Sequence, residues 1–110
     1  MITKRPADSR GVLRQGWITS RRTFSNNSYW DPKYMNYSDL EVINDDVLEP
    51  GQMVPNHEHK NMEILGYIVS GPATHTDSLC NVQDVPSGAV QFMSSGSSIW
   101  HTECNNTDKP

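Results

Sequence analysis

The sequence predicts an all-β fold, a small sandwich or barrel, formed by a single domain over residues 1–110. Its apolar runs are short, Gly, Pro, Asn and Asp break them at short intervals, and none keeps a helical period. Three tripeptides have tight-turn chemistry: Glu49-Pro50-Gly51, Ser70-Gly71-Pro72 and Pro86-Ser87-Gly88. Many short strands joined by such turns are typical of sandwiches and barrels, and a small barrel can hold one ligand or metal inside.

The strands are placed where residues that favour β-structure lie between turn signals. The polar stretch from Ser25 to Pro32 is predicted to be a loop, and no internal repeat or linker is visible. In chain order, the predicted strands are Gly11 to Ile18, Asp39 to Leu48, Val54 to His59, Glu63 to Ser70, Ala73 to Asp77, Gln83 to Pro86, Val90 to Ser94 and Ile99 to Cys104.

Composition excludes two classes of partner. The chain has 9 basic and 13 acidic residues, so direct charge attraction to nucleic acid or to an anionic membrane is not expected. No apolar run approaches the roughly 20 residues of a membrane span, and Met1 to Arg10 lacks the apolar centre of a signal peptide. We therefore expect a cytoplasmic protein, in which Cys80 and Cys104 are free thiols.

Two short pairs carry most of the functional information, because each places two metal-ligand side chains two residues apart. These are His57-Glu58-His59 and His101-Thr102-Glu103. Alternate side chains of a strand point to the same face, so two paired strands would offer three imidazoles and one carboxylate. Imidazole and carboxylate suit iron, manganese, zinc, nickel or copper, and the lack of thiolate ligands argues against a zinc-finger type of site.

A simpler alternative stays open, because such pairs also arise in exposed strands where polar and apolar residues alternate. The two pairs together favour the metal site, since they contain three of the 4 histidines. The fourth, His75, stands without a matching ligand pair, and we expect it to face solvent or to form a hydrogen bond within its strand.

Part of this pattern resembles the cupins, small β-barrels of the jelly-roll type. The first cupin motif is matched by Gly51, His57-x-His59 and Glu63, and the end of the second by His101 and Asn105. A closer resemblance, over nearly the whole chain, is to the amino-terminal cupin domain of the pirin family, especially its bacterial quercetinase-like members. It rests on strings that include Gly16-Trp17, Thr23-Phe24-Ser25, Val42-Ile43-Asn44-Asp45-Asp46, His59-Lys60, Met62-Glu63-Ile64-Leu65 and Asp77-Ser78.

The pirin resemblance implies one divalent metal, Fe(II) first, with Mn, Ni, Cu or Zn as alternatives. Its ligands would be His57, His59, His101 and Glu103, and Glu103 would also be the catalytic base toward a flavonol hydroxyl. Glu63 would either orient a ligand or form a structural hydrogen bond. Two functions stay open: a dioxygenase acting on a flavonol or another small phenolic or enediol substrate, and a non-catalytic metal-binding or protein-interaction module with a regulatory role.

The resemblance also bears on assembly. Pirins normally continue into a second cupin domain, whereas this sequence ends at Pro110, either as a fragment or as a naturally short relative. A face that would pack on that domain would then be open to water, and exposed apolar patches favour association. We therefore expect a homodimer, because two-fold dimers are the commonest closed oligomers.

Overall fold

A computed structural model describes all 110 residues and confirms the all-β prediction. Contacts divide the chain into two compact units, Met1–Val47 and Leu48–Pro110. The only helical element is a short 3-10 helix, Ala7–Ser9. The strands are β1 (Gly11–Arg14), β2 (Ile18–Arg22), β3 (Asn44–Leu48), β4 (Met53–His59), β5 (Glu63–Tyr67), β6 (Ala73–Asp77), β7 (Val82–Val85), β8 (Val90–Ser94) and β9 (Ile99–Cys104).

The first unit corrects two of the predicted strands. Gly11 to Ile18 is not one strand, because the chain turns at Gly16, whose φ is 78°, and the Gln15 amide donates to the Ile18 carbonyl at 3.0 Å. The result is an antiparallel β1–β2 hairpin, which joins β3 in the order β1-β2-β3. A glycine with positive φ supplies the reversal that a strand interior cannot.

The predicted strand from Asp39 to Leu48 is also too long, since extended pairing begins only at Asn44. Before it, Tyr37 and Leu40 form an isolated bridge around Ser38, which has a φ of 53°. This small turn uses the backbone groups of Tyr37 and Leu40 locally, so they are not available to a longer strand.

The second unit contains two antiparallel sheets. One has four strands in the order β4-β9-β6-β7, and the other is the two-stranded β5–β8 pair. Two predicted turns are present, with Gly51 at a φ of 71° and Gly88 at 82°. The amides of Gln52 and Ala89 close these turns onto carbonyls three residues earlier, each at 3.1 Å. Five of the six strands lie close to their predicted ranges, but β5 ends at Tyr67 and not at the predicted Ser70.

A β-bulge interrupts β4 just before the first histidine pair. Val54 lies opposite Glu103 and His57 lies opposite His101, so three steps along β4 match two along β9. A proline cannot donate to the ladder and is tolerated at bulges, and Pro55 lies within this one. Bulges change the direction of the side chains that follow them, so this one sets where His57 points.

Burial departs from the usual separation of apolar core and polar surface. The buried apolar side chains are few: Ile18, Phe24, Val85 and Ile99. Most aromatic residues are exposed, among them Trp30, Tyr37, Tyr67 and Phe92. The structure contains no helix with the length and apolarity that a membrane crossing requires.

Candidate metal centre

Three histidine side chains meet between β4 and β9. The Nε2 atom of His101 lies 2.7 Å from Nε2 of His57 and 3.1 Å from Nε2 of His59. The three rings contact one another edge to face, with centroids 4.3 to 4.9 Å apart. Strand alternation and the direct pairing of His57 with His101 therefore bring three imidazole nitrogens to one point.

The β-bulge fixes the tautomer of one ligand. Nδ1 of His57 lies 2.8 Å from the carbonyl oxygen of Pro55. A carbonyl oxygen only accepts hydrogen bonds, so Nδ1 is the protonated nitrogen and Nε2 keeps its lone pair. A hydrogen bond on the far nitrogen is how proteins commonly orient a metal-binding imidazole.

Burial disfavours the charged forms of two of the three imidazoles, those of His101 and His59. His101 is 3% exposed, and burial, reinforced by the neighbouring imidazoles of His57 and His59, lowers its pKa to about 4. Burial and His57 also lower the pKa of His59. Neutral imidazoles offer the lone pairs that a metal needs, since protonation and metal binding compete for the same nitrogen.

The donor set fits a divalent transition metal. Bonds from zinc to imidazole nitrogen are about 2.0–2.1 Å long, which places neighbouring donors roughly 3 Å apart around one ion. The two measured separations, 2.7 and 3.1 Å, are close to that value. With three nitrogens and no thiolate in the group, iron, nickel, cobalt, copper and zinc are all compatible with it.

Glu103, the fourth ligand implied by the resemblance, lies on the same strand face but in a different group. It is half-buried, and its carboxylate groups with His75 and His101, whose ligand atoms all lie within 4.8 Å of one another. The structure thus groups the three histidines of the expected set by themselves and places Glu103 next to His101. Glu63 is exposed on β5 and accepts a hydrogen bond from Ser94 Oγ at 3.0 Å, which favours its structural role.

Neighbouring residues of opposite parity point away from the cluster, as alternation predicts. Glu58 accepts a hydrogen bond from Ser98, and its carboxylate lies 3.4 Å from Nζ of Lys60. The Ser98 hydroxyl lowers the pKa of Glu58. Trp100 is exposed. Neither side chain takes part in the ligand groups.

His75 was not expected at this centre, and the solvent-facing alternative for it is wrong. It is 5% exposed, its ring contacts that of His101 at a centroid distance of 5.4 Å, and its Nε2 lies 2.7 Å from Asp77 Oδ2. The expected hydrogen bond within the strand is therefore present. The sequence contained an indication of this position, because His75-Thr76-Asp77 has the same two-residue spacing as the other two pairs of ligand-type residues.

The comparisons with known proteins agree with this geometry. The family model described as Pirin matches residues 4–110. The chain is 49% identical over 105 residues to a protein named Quercetin 2,3-dioxygenase from Escherichia coli K12, and 43% identical to a Pirin-like protein from Caulobacter vibrioides. These alignments cover 96% of this chain but 46% and 45% of the relatives. The chain thus spans about half the length of the curated relatives it matches.

Solved structures extend the likeness to three dimensions. The crystal structure of YhhW from Escherichia coli superposes with a TM-score of 0.91 at 46% identity, covering 96% of this chain and 45% of that one. A structure of bacterial pirin YhhW in complex with nickel(II) gives a TM-score of 0.90 at 47% identity, covering 94% of this chain and 45% of that one. The predicted cupin fold is confirmed, and the chain belongs to the pirin family.

Proposed function

We propose that this protein is a metal-dependent dioxygenase acting on a flavonol or another small phenolic or enediol compound. The observation that carries the proposal is the convergence of three imidazole nitrogens, with the carboxylate of Glu103 grouped beside one of them, that of His101. Relatives named quercetin 2,3-dioxygenase support the choice of substrate class. The cytoplasmic location expected from the sequence belongs to the same proposal.

His57, His59 and His101 would hold the ion through Nε2. When bound, a divalent metal supplies Lewis acidity, which lowers the pKa of a coordinated hydroxyl group and orients it. Fe(II) is our first choice, with Mn, Ni, Cu and Zn as alternatives. The carbonyl of Pro55 keeps His57 in the required tautomer, so it acts on metal affinity without contacting the ion.

Glu103 would remove the proton from the substrate hydroxyl. A carboxylate can accept that proton only if it lies within hydrogen-bond reach of the bound substrate, and Glu103 shares a strand and a face with His101. A cation bound nearby favours the charged form of any carboxylate, which is the form that accepts a proton. The substitution Glu103→Gln would keep the size and shape of the side chain but remove the group that accepts the proton.

Turnover of quercetin by the metal-loaded chain tests this proposal. Chains reconstituted separately with Fe(II), Mn(II), Ni(II), Cu(II) and Zn(II) are mixed with quercetin in air, and loss of the flavonol absorbance is followed. Glu103→Gln is expected to lower kcat by about 10²–10⁴-fold. The matched control Glu58→Gln, on the outward face of β4, should leave kcat within twofold of the parent by roughly the tolerance of surface changes. No turnover with any metal would contradict the enzymatic proposal.

An exposed apolar surface favours a second candidate, a metal-binding module that acts through protein contact. We define the ribbon face as the outward side chains of β5 and β8: Leu65, Tyr67, Val90 and Phe92. Leu65 lies opposite Phe92 and Tyr67 lies opposite Val90, so the four form one continuous patch. Such patches mark interaction sites, and we propose a second copy of the chain as the occupant.

Analytical ultracentrifugation of the parent and of Phe92→Glu tests this candidate. A charge placed in the centre of an apolar contact carries a large desolvation cost, so the dimer is expected to weaken by at least about tenfold. Val12→Glu, at an exposed apolar position of β1 outside the ribbon face, is the matched control. A parent that sediments as a monomer at high micromolar concentration would contradict the dimer.

A further inference from the structure

His75 has the surroundings of a metal ligand, although the three-histidine cluster does not include it. It lies on β6, with Glu103 of β9 directly opposite. The residue is 5% exposed, and its Nδ1 atom is buried without a hydrogen-bond partner. Buried polar atoms are almost always paired, and His75 also offers a ligand atom within 4.8 Å of those of His101 and Glu103. The two observations together indicate a site for a cation.

Asp77 fixes the tautomer of His75 in the way that suits metal binding. Its Oδ2 lies 2.7 Å from Nε2 of His75, and its other contacts are all donors from Leu79 and Asn81. The carboxylate therefore accepts, Nε2 donates, and Nδ1 keeps a free lone pair.

The remaining ligands come from β9. His75, His101 and Glu103 each offer one ligand atom, and these atoms lie within 4.8 Å of one another, so a modest inward movement would bring all three to one ion. His101 belongs to both groups. Because a neutral imidazole has one free lone pair, His101 can serve only one of two adjacent positions at a time.

We propose that the four-stranded sheet has a second position for a divalent metal, formed by His75, His101 and Glu103, which is occupied in alternation with the three-histidine position. Two imidazoles and one carboxylate suit nickel, cobalt, iron or zinc. This group contains a carboxylate, whereas the three-histidine group contains only imidazoles. The proposal stands apart from the dioxygenase, since it concerns where an ion binds and not what it does.

Isothermal titration of Zn(II) or Ni(II) into the tag-free, metal-stripped chain tests the proposal. The parent is expected to bind one ion. A His57→Ala/His59→Ala chain should still bind one ion, with affinity lowered by about 100-fold or more. Adding His75→Ala to that chain should weaken binding by at least about a further tenfold. Adding Thr76→Ala instead is the matched control, because Thr76 lies on the exposed face of the same strand.

Either of two titration results would overturn the proposal: a double variant that binds no ion, or a double variant whose affinity does not depend on His75. A His57→Gln/His59→Gln chain is titrated in parallel, and the thermal melting of every variant is measured. These controls distinguish misfolding from the loss of a metal ligand. Independently, long-range ¹H–¹⁵N spectra of the metal-free parent should show His75 protonated on Nε2 and not on Nδ1. The opposite tautomer would also overturn it. Failure of quercetin turnover would leave all these results unaffected.

Discussion

The two sheets of residues 48–110 reverse the usual relation between polarity and burial. On the four-stranded sheet, the buried residues include His75 and His101, which are 5% and 3% exposed. On the two-stranded β5–β8 pair, Leu65 and Phe92 are 72% and 62% exposed. Exposed apolar side chains are common, but buried imidazoles and a continuous apolar face are each informative.

The difference in burial between the two sheets indicates which sheet binds a ligand and which one forms a contact surface. Burying imidazoles costs free energy unless something compensates for it, so their cluster indicates a site built for a ligand. Leaving an apolar face in water likewise indicates a surface that gains free energy when it is covered. We therefore propose that the four-stranded sheet carries the metal chemistry of this domain and that the ribbon face carries its protein contacts.

The largest effect is expected from His101→Ala. Because this side chain belongs to both ligand groups, its removal should weaken Ni(II) or Zn(II) binding by at least about 100-fold, which titration calorimetry measures. Val90→Ala, on the ribbon face, is the control from the other sheet and should leave the affinity unchanged. Equal losses of metal affinity in the two variants would contradict the assignment of the metal site to the four-stranded sheet.

Matched truncations of the two sheets sharpen the comparison through stability. Ile99→Ala removes a side chain that is 3% exposed, and it should lower the free energy of unfolding by about 2–4 kcal/mol. Leu65→Ala, on the exposed ribbon face, should cost no more than about 0.5 kcal/mol in the monomer. Urea denaturation at low protein concentration measures both. A large loss for Leu65→Ala would mean that the ribbon face is already covered.

The pH dependence of the metal-free chain tests the buried imidazoles. The pKa of His101 is about 4 in the folded state, below the ordinary value of 6.5, so the unfolded chain binds more protons between these values. Stability should therefore fall as pH falls, by about 2 kcal/mol between pH 7 and pH 5. His101→Gln should flatten this slope in urea titrations. A slope of the opposite sign would contradict burial of the neutral ring.

The smallest effect is expected from Glu58→Gln. Glu58 lies between the two ligands of β4, but its carboxylate contacts Ser98 and Lys60 on the other face. Its replacement should change metal affinity by less than about twofold, as for most surface substitutions. A larger loss, measured by the same calorimetry, would show that side-chain alternation along β4 is broken at the site.

Much of this architecture could be predicted from local sequence. Strand alternation brings His57, His59 and His101 onto one face, and the turns at Gly51 and Gly88 follow from their neighbouring prolines and serine. The β1–β2 hairpin was missed because the residues before and after Gly16 are equally compatible with one longer strand. Only the conformation of Gly16 decides between them.

The contact between His75 and the metal centre could not be predicted from the sequence of β6 alone. Its spacing to Asp77 is visible in the sequence, but its contact with His101 depends on the pairing of β6 with β9, which joins segments more than 20 residues apart. The exposed aromatics have a similar cause. Propensity places Tyr67 and Phe92 in strands, but whether a strand face is covered depends on what packs there.

The most direct test of the central claim is the metal content of the tag-free chain, measured by elemental mass spectrometry after reconstitution with each candidate metal. The site described here predicts about one divalent ion per chain in the parent. It predicts none in a His57→Ala/His101→Ala variant that keeps its circular dichroism spectrum. A parent that holds no Fe(II), Mn(II), Ni(II), Cu(II) or Zn(II), or a variant that holds as much as the parent, would contradict it.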